Sequence, residues 1–581
     1  MSDEIRHECG IALVRLLKPQ MYYREKYGTS DWGGTKLALL LEKQHNRGQD
    51  GAGAAILRAR PVPGESAYSV FRSASASPLV DLLGQIARRV VKDDESVFLG
   101  HLRYATFGRG DVSFCHPFVH KSSCLARTLL LAGNFNLTDN RELFSEYVAL
   151  GHHPDSRADG YLLTNILAHH LGTALDARHS PLSPSPLSPS AFAEILRAGL
   201  AQADGAYTLC GMTGDGWSFA LRDPHGIRPG FCYADDEVAV VASERPAIQA
   251  AFDCPPDAAK EIPPGKALVI SPENEISFQP ISPVAEKRSC SFERIYFSRA
   301  NDCAIHRERK ALGAALVDPL IRAVDGDLAH TFFSYIPNSA QVAFHGLLEE
   351  LWSRSAECVV RFGQIAVKDA KFRTFIADAA ARREFYKHIY DVTYGLVRPG
   401  EDTLVVLDDS IVRGNTMKRA ILPMLDRLGP KRIIIASSAP PIRYPDCYGI
   451  DMSTLGELVA FRALVNLLGN SADADLRRVE ELMSGQLAAA GRRPPVTNHL
   501  ASLYARFTAE EHSAEIARLL TPTGMKAEVS VVFQSVEGLH AACPDDTGDW
   551  FFTGDYPTAG GYRVLHQALE NYLNHNNERS Y

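Results

Sequence analysis

The 581-residue sequence has no surplus of basic charge, since 61 Lys and Arg stand against 69 Asp and Glu for a formal net charge of -8. This balance argues against a general affinity for nucleic acid or for an anionic membrane. Long apolar runs are also absent, because none approaches the roughly 20 residues that cross a bilayer. The first eight residues, MSDEIRHE, lack the apolar stretch of a secretory signal. We therefore expect a cytoplasmic protein with no membrane or nucleic-acid partner.

Paired cysteines are missing as well. The eleven cysteines are scattered singly, with no CxxC motif. The pattern therefore indicates neither a disulfide framework nor a standard zinc site. Each cysteine has to be interpreted from its neighbours.

The length exceeds the size at which one hydrophobic core keeps growing, so at least two domains are expected. Up to about residue 290, apolar runs such as GIALVRL and EVAVVASE alternate with turns and predict mostly antiparallel strands. Helices are predicted over 34–45 and 158–171, which makes this half an α+β domain. The segment RHSPLSPSPLSPS (178–190) predicts an exposed, extended loop.

The second half contains one βαβ unit. The stretch DTLVVLDDSIVRGNTMKRAILPMLDRLGPKRIIIAS reads as strand, loop, helix and strand, and predicts an α/β domain with a parallel sheet. Its first strand ends in Asp408 and Asp409, and ligands of open parallel sheets bind beyond the carboxyl ends of the strands.

The residues after that strand suit a phosphorylated sugar. The glycine and hydroxyl groups of the loop Ser410 to Thr416 can turn backbone N–H groups toward a phosphate. Adjacent carboxylates would repel a phosphate, but they can accept hydrogen bonds from ribose hydroxyls or hold Mg²⁺. A pair of acids that merely caps a helix is the alternative, which the preceding fully apolar strand disfavours.

This segment resembles the fingerprint of the type I phosphoribosyltransferases, and together with SSAPPIRYPDCYGID it is similar to the amidophosphoribosyltransferases. The resemblance implies 5-phosphoribosyl 1-pyrophosphate as substrate, with Asp408 and Asp409 on the ribose hydroxyls and Mg²⁺, and Ser339 completing the metal site. Asn338 stands where the family pattern has Asp. The residues implied to hold the 5-phosphate are Ser410, Ile411, Val412, Arg413, Gly414, Asn415 and Thr416. Those implied to neutralise the pyrophosphate are Lys368, Lys371, Arg373 and Lys387.

Cys9 stands directly before the first predicted strand. Taken alone, it would be interpreted as a small buried apolar residue. However, QHNRGQDGAG, HLRYATFG, GNFNLTDNREL and SRADGYLLTNIL follow in the order and spacing of the class II glutamine amidotransferases, which this half resembles. The two resemblances together cover nearly the whole chain. They imply a four-layer αββα glutaminase of the N-terminal-nucleophile type, joined to a type I phosphoribosyltransferase domain.

The resemblance also implies residue roles. Cys9 would be the nucleophile, Arg103 would pair with the α-carboxylate of glutamine, and Asp159 would bind its α-ammonium. The side chain of Asn134 and the backbone N–H of Phe135 would donate to the developing oxyanion. The residues that would support the pocket are Arg47 and Thr106. Considered singly, Arg103 and Asp159 would be interpreted as a surface ion pair, but their motif context favours a role in the glutamine site.

Two positions depart from the family pattern. Phe135 replaces a glycine, and Asn46 interrupts the usual His-Arg step. DPHGIRP (223–229) and ASER (242–245) extend the resemblance and are interpreted as architecture and domain contact.

The nucleophile needs a base. A free thiol with a pKa of about 8.5 is mostly protonated at neutral pH. The α-amino group of the same residue, with a pKa of about 7.7 to 8.0, can take the proton if that residue begins the chain. We therefore predict that residues 1–8 are a propeptide whose removal leaves Cys9 as the mature N-terminus.

The predicted domains are the propeptide, a glutaminase domain over 9–290, a phosphoribosyltransferase domain over 291–470, and a helical extension over 471–581 that packs on it. The resemblance implies conversion of 5-phosphoribosyl 1-pyrophosphate, glutamine and water to 5-phosphoribosylamine, glutamate and pyrophosphate, the opening step of de novo purine synthesis. It also implies a homo-oligomer inhibited by purine nucleotides. Two alternatives remain open: a glutaminase with another acceptor, and a non-enzymatic nucleotide-sensing regulator.

Some family members carry an iron-sulfur cluster on four cysteines. Cys290, Cys447 and Cys543 lie near the corresponding places, but Asp446 and Asp546 stand where two of the ligands belong. Because thiolates are the usual ligands of such clusters, we predict that the chain holds none.

Overall fold

The computed structural model describes residues 8–105, 108, 110–178, 187–283, 285–354, 359–368, 390–490 and 497–576. The chain divides into two units. The N-terminal unit is Arg6–Cys290 with Cys447–Asp451, and the C-terminal unit is formed mainly by Ser291–Asp446 and the residues from Met452 onward. No helix in the described ranges has the length and apolarity that a membrane crossing requires.

Two antiparallel sheets form the centre of the N-terminal unit. The first has the order β11-β9-β10-β1-β4-β2-β3 and consists of β1 (Gly10–Leu16), β2 (Gly51–Arg58), β3 (Tyr68–Ser73), β4 (Glu95–Arg103), β9 (Phe231–Ala234), β10 (Val238–Ala242) and β11 (Lys260–Glu261). The second has the order β13-β12-β8-β7-β6-β5 and consists of β5 (Phe118–His120), β6 (Leu129–Leu137), β7 (Gly205–Thr213), β8 (Ser218–Arg222), β12 (Lys266–Ile270) and β13 (Ile276–Pro280).

Helices cover the outer face of each sheet. On the first sheet lie α2 (Trp32–Lys43), α3 (Pro78–Ala87) and α7 (Arg245–Phe252), with α1 (Gln20–Tyr27) beside α2. On the second lie α5 (Asp159–Arg178) and α6 (Pro189–Leu200), with α4 (Asn140–Ala149) beside α5. The four layers are therefore helix, sheet, sheet and helix, which confirms the predicted αββα architecture.

Strand β1 shows why this sequence builds those layers. All seven of its residues are buried. Ile11 and Leu13 face the other sheet, whereas Ala12 and Val14 face the helices. Successive strand side chains point to opposite faces, so a strand that is covered on both faces must be apolar throughout.

The C-terminal unit is built on a parallel sheet with the order β15-β14-β18-β19-β20. Its strands are β14 (Thr331–Tyr335), β15 (Arg361–Phe362), β18 (Thr403–Asp408), β19 (Arg432–Ser437) and β20 (Glu528–Phe533), and a separate pair is formed by β16 (Ala366–Lys368) and β17 (Tyr390–Val392). The residues of β18 alternate between two cores, with Leu404 and Val406 in one and Val405 and Leu407 in the other. This placement confirms the predicted α/β class.

The helices of this unit lie on both sides of the sheet or extend beyond it. They are α8 (Cys303–Ala315), α9 (Val317–Ala323), α10 (Gln341–Arg354), α11 (Leu422–Asp426), α12 (Val459–Leu468), α13 (Ala472–Ala490), α14 (Ala501–Tyr504), α15 (Ala509–Leu520), α16 (Val536–Ala542), α17 (Trp550–Thr553) and α18 (Ala559–Leu573). A π-helical stretch, Met417–Ile421, precedes α11.

Three sequence expectations differ from the structure in detail. The predicted helical extension over 471–581 also contains a strand, because β20 pairs in parallel with β19 and closes one edge of the sheet. Helix α5 runs to Arg178, beyond the predicted end at 171. In the Ser-Pro segment, residues 179–186 lie outside the described residues, while Ser188 caps α6 through the N–H of Ala191.

Candidate functional site

The pairing of β1 with β4 places Cys9. Gly10 is the register partner of Leu102, so Cys9 lies beside the end of β4. The N–H of Tyr104 donates to the Cys9 Sγ atom at 3.4 Å. Cys9, the nucleophile predicted from its motif, therefore lies directly before the N-terminal end of β1 and not within the core of the first sheet.

The surroundings of the thiol oppose its ionisation. Burial raises the pKa of Cys9 to about 11, and the N–H of Tyr104 and the charges of Arg103 and Arg47 offset only part of this rise. The carboxylate of Asp159 raises the pKa further. Attack by this sulfur therefore requires a base.

Two of the predicted glutamine-binding residues carry charges that act on this thiol. Arg103 ends β4; its Nη1 donates to the Gly108 carbonyl at 3.1 Å, and its guanidinium lies 5.5 Å from the centre of the Phe114 ring. Asp159 begins α5 and accepts the N–H of Gly160 at 2.8 Å. Burial raises the pKa of Asp159 to about 6, although the Gly160 N–H and Arg103 oppose the rise.

Asn134 and Phe135 lie on β6 in the second sheet. The Asn134 side chain is 5% exposed and donates through Nδ2 to the Glu8 carboxylate at 3.1 Å. Phe135 is half-buried, with its ring 5.7 Å from that of His116. The amide predicted to bind an oxyanion therefore holds a carboxylate oxygen from the residue that precedes the nucleophile.

Glu8 belongs to a buried ionic cluster. Its carboxylate pairs with Arg228 and lies 3.7 Å from Arg47 Nη1. Glu244 accepts from Arg47 Nε and from Asn46 Nδ2, each at 2.7 Å. Asn46, the residue that interrupts the family's His-Arg step, thus shares the Glu244 carboxylate with Arg47.

Arg228 also holds a segment that is distant in sequence. Its Nη2 donates to the Tyr448 carbonyl, and Asn136 Nδ2 donates to the Cys447 carbonyl at 2.7 Å. Gly449, with φ of 116°, lies against the Arg228 guanidinium, where an added Cβ would approach within 3.0 Å.

The C-terminal unit has its own cluster of carboxylates. Asp408 ends β18, and Asp409 accepts hydrogen bonds from Ser339 Oγ and from Ser410 Oγ, the latter at 2.8 Å. Burial, followed by the charge of Asp409, raises the pKa of Asp408 well above its usual range. Burial also raises the pKa of Asp409, despite both serines and the charge of Arg309. Two crowded carboxylates and a hydroxyl are a donor set that fits Mg²⁺.

The loop after Asp409 is anchored at several points. Ile411 and Val412 are buried, and the Val412 carbonyl accepts the N–H of Val459 at 2.9 Å. Gly414 has a φ of 76°, and an added Cβ would lie 2.2 Å from Leu520 Cδ2. The helical turn begins at Asn415, so the loop from Ser410 to Thr416 ends at a helix N-terminus.

Several predicted residues are not covered. Thr106, Lys371, Arg373 and Lys387 lie outside the described residues, and so does the side chain of Lys368. Asn338 follows Pro337 through a cis peptide bond next to Ser339.

Comparison with known proteins identifies the family. No family model matches the chain. The chain is 30% identical over 432 residues to an amidophosphoribosyltransferase of Pasteurella multocida, a match that covers 72% of this chain and 78% of that protein. It is 29% identical over 446 residues to the amidophosphoribosyltransferase of Escherichia coli, with 74% and 81% covered. The chain belongs to the amidophosphoribosyltransferase family.

Solved structures agree in fold. The glutamine phosphoribosylpyrophosphate amidotransferase of B. subtilis, complexed with ADP and GMP, aligns with a TM-score of 0.65 at 23% identity over 95% of this chain and 97% of that one. A structure described as the allosteric regulatory enzyme of purine biosynthesis aligns equally well, at 24% identity over 96% and 99%. The predicted amidophosphoribosyltransferase function, the first step of purine biosynthesis, is confirmed by the family assignment.

The places where some amidophosphoribosyltransferases bind a cluster hold other contacts here. Asp446 accepts the indole N–H of Trp550 at 2.9 Å, and Asp546 lies 3.3 Å from Arg294 Nε. Cys543 is fully buried. In the part of the chain that the structure describes, no group of three or more His, Cys, Asp or Glu side chains is placed to hold a metal ion.

Sequence reasoning missed three members of the buried ionic cluster around Arg47. Glu8 was assigned to the propeptide without a contact, Arg228 lies in DPHGIRP, and Glu244 lies in ASER. The structure shows that both motifs supply buried charges around Arg47, which their interpretation as architecture and domain contact did not include. The partners of Glu244 could not be predicted from its motif, because Asn46 and Arg47 lie more than 190 residues away in the sequence.

Glu244→Ala should destabilise the N-terminal unit. The Arg47 and Glu244 side chains are 0% and 2% exposed, so the substitution removes a close partner from a buried cation. We expect the free energy of unfolding to fall by about 3 to 5 kcal/mol in denaturant titration. Glu286→Ala is the control, because the Glu286 side chain is 72% exposed beside Arg288 and should change stability by less than about 1 kcal/mol. Equal losses of stability in the two variants would contradict the assignment of Glu244 as the buried partner of Arg47.

Proposed function

We propose that Cys9 hydrolyses the side-chain amide of glutamine and that the loop after Asp409 holds 5-phosphoribosyl 1-pyrophosphate, whose C1 receives the released ammonia. The observation that carries the proposal is the setting of the Cys9 thiol. It lies directly before the N-terminal end of β1, beside Tyr104, and the charges of Arg103, Asp159 and Arg47 all act on it. A carboxylate and guanidinium groups around one thiol match the zwitterionic head of glutamine beside its reacting amide.

The proposed glutaminase step begins with loss of residues 1–8. The freed α-amino group of Cys9 takes the thiol proton, and Sγ attacks the amide carbon of glutamine. Asn134 and the Phe135 N–H donate to the oxyanion that forms. The C–N bond then breaks, the α-ammonium returns the proton to the leaving ammonia, and water hydrolyses the thioester to glutamate.

The same proposal gives Glu8 a role in the uncleaved chain. Its carboxylate occupies Asn134, so the oxyanion donor is engaged until the propeptide leaves. Removal also takes one negative charge from the cluster with Arg47 and Arg228. The remaining positive charge would favour ionisation of the Cys9 thiol.

In the phosphoribosyltransferase half, Asp408 and Asp409 would accept hydrogen bonds from the ribose hydroxyls. Both carboxylates, with Ser339 Oγ, would hold Mg²⁺, which supplies positive charge to the pyrophosphate leaving group when bound. The anchored loop Ser410 to Thr416 presents backbone N–H groups and a helix N-terminus to the 5-phosphate. Ammonia adds to C1 as the C1–O bond to pyrophosphate breaks. Lys368, Lys371, Arg373 and Lys387 remain predicted partners of the pyrophosphate.

The proposal extends to inhibition by nucleotides and to the oligomeric state. A related enzyme was solved with ADP and GMP, which supports purine nucleotides as feedback inhibitors of this chain. We also propose a homo-oligomer, and a domain boundary at 290/291.

Cys9→Ala should abolish glutamine-dependent formation of phosphoribosylamine and leave the ammonia-dependent reaction intact, because only the first needs the sulfur. Pyrophosphate release, measured with each nitrogen donor, checks this. Cys124→Ala is the control, since Cys124 is exposed. Mass spectrometry of active protein should find Cys9 at the N-terminus, and an intact Met1 in a glutaminase-active chain would overturn the mechanism.

The raised pKa of Asp159 predicts that kcat/KM for glutamine falls at acidic pH, which gives the pH profile an acid limb. The pKa of Asp159 is raised to about 6, so the carboxylate is protonated below that pH and no longer attracts the α-ammonium of glutamine. The α-amino base of Cys9 already gives glutamine use an acid limb below its own pKa of about 7.7 to 8.0. Below the pKa of Asp159 we therefore expect kcat/KM for glutamine to fall by an additional factor of about ten per pH unit. Asp159→Asn should remove this additional fall and lower kcat/KM throughout. At a fixed concentration of free NH₃, the ammonia-dependent reaction should show neither limb in either protein; an additional fall below about pH 6 that persists in Asp159→Asn contradicts the role of Asp159.

Asp408→Asn should separate stability from activity. The raised pKa of Asp408 means that its charged form is disfavoured in the folded protein, so removing the charge relieves repulsion from Asp409. We expect the apoprotein to melt about 2 to 4 °C higher for a relief of about 1 kcal/mol. Ammonia-dependent activity should fall about 100-fold or more, and Mg²⁺ with 5-phosphoribosyl 1-pyrophosphate should no longer raise the melting temperature. Glu401→Gln, at an exposed position, should change none of these; retained activity in Asp408→Asn would contradict the site.

A further inference from the structure

Two buried histidines bracket one peptide group next to Asn134. His101, on β4, is 0% exposed, and its Nε2 lies 3.0 Å from the Gly133 carbonyl oxygen. His116 is 8% exposed and accepts the Gly133 N–H at Nδ1, over 3.2 Å. The rings stack with centroids 4.0 Å apart and planes 10° from parallel. Each polar group of the Gly133 backbone therefore has an imidazole partner.

These hydrogen bonds fix the protonation of both rings. An N–H donates to His116 Nδ1, so that nitrogen carries no proton. A carbonyl can only accept, so His101 Nε2 carries one, and within the described ranges His101 Nδ1 has no hydrogen-bond partner. Burial lowers the pKa of His101 to about 3 and that of His116 well below its usual value. Two neutral rings can stack at this distance, whereas two imidazolium rings would repel each other.

The register of the second sheet shows what the imidazoles replace. Strand β5 pairs with β6 from Phe118 and Leu131 to His120 and Leu129. Continued by two residues, that register sets His116 opposite Gly133. Pro117 lies between, and it has no N–H to give to a ladder. The histidine side chains therefore bind β6 where a longer β5 would otherwise do so.

The register of β6 with β7 also sets the direction of Phe135. Residues of an antiparallel strand alternate between pairs that exchange hydrogen bonds with the neighbour and pairs that do not. Gly133 directs its polar groups to the imidazoles and not to its partner Leu209. Phe135, two residues on, directs its N–H to the same edge, and Asn134 lies between them.

We propose that His101 and His116 are positioning residues for glutamine hydrolysis, which hold the Gly133 peptide group and so fix the directions of the Asn134 amide and the Phe135 N–H. This inference rests on the proposed function, which assigns those two groups to the oxyanion. The Phe135 ring also lies 5.7 Å from the His116 ring, so the same histidine packs against the residue that carries the second donor.

The test compares His116→Phe with His116→Gln. Phenylalanine keeps a ring but removes the acceptor for the Gly133 N–H, whereas glutamine keeps an acceptor. For His116→Phe we expect kcat with glutamine to fall about 10- to 100-fold, less than the roughly 10²- to 10³-fold loss of a whole oxyanion donor. KM for glutamine should change less than about threefold, because ground-state binding is untouched, and His116→Gln should recover kcat to within about threefold of wild type. Ammonia-dependent kcat should stay at the wild-type value in both variants.

Asn134→Ala in the same assays separates the oxyanion assignment of Asn134 from the positioning role of the two histidines. If it keeps kcat with glutamine, the oxyanion assignment itself is wrong. If it loses kcat and His116→Phe does not, only the positioning role is wrong. Equal losses with glutamine and ammonia, or a His116→Gln protein as impaired as His116→Phe, would also overturn the proposal. Should His116→Phe fail to fold, His101→Leu against His101→Gln repeats the comparison at the ring that donates to Gly133, with the same split expected.

Discussion

The antiparallel pairing of β1 with β4 is the constraint on which the proposed glutaminase site depends. It joins β1 to a strand more than 80 residues later, with Gly10 opposite Leu102. This register brings the Cys9 sulfur to the Tyr104 N–H and sets Arg103 beside it. A shift of one residue would turn every side chain of β1 to the other face, and the fully apolar core of the strand would not prevent it by itself. Register in this strand therefore determines the position of the proposed nucleophile as well as the packing of the strand.

Both sites contain acids whose charged forms are disfavoured. Burial raises the pKa of the Cys9 thiol and of the Asp159 carboxyl, and burial with like charge raises that of Asp408. The charged form of each group would be stabilised by a ligand of opposite charge. Structure alone would gain from neutral residues at these positions, so perturbed groups of this kind are typical of functional sites.

The sequence was sufficient for elements whose pattern is local. Strand β18 could be predicted because an unbroken apolar run ends in two carboxylates, and Cys9 because it precedes such a run within a recognisable series of motifs. Long-range pairing was not predictable. Glu244 and Arg47 form an ion pair across 197 positions, and nothing near either residue indicates the other. Strand β20 was also missed, since it lies on a sheet edge, where only part of the strand is buried and the apolar pattern is weaker.

The shortness of β5 connects the fold to the proposed oxyanion site. In an interior strand the backbone N–H groups are engaged by neighbours, so no ladder position is open to bind an oxyanion. Strand β6 keeps β7 on one side, but β5 ends opposite Leu131, before Asn134 and Phe135 are reached. An edge that ended there without support would leave the strand free to move. Two neutral imidazoles bind the peptide group of Gly133 at the boundary and leave the following residues directed toward the open edge. The proposed oxyanion donor is thus both rigid and available, because it lies where a strand stops and side chains continue its hydrogen bonding.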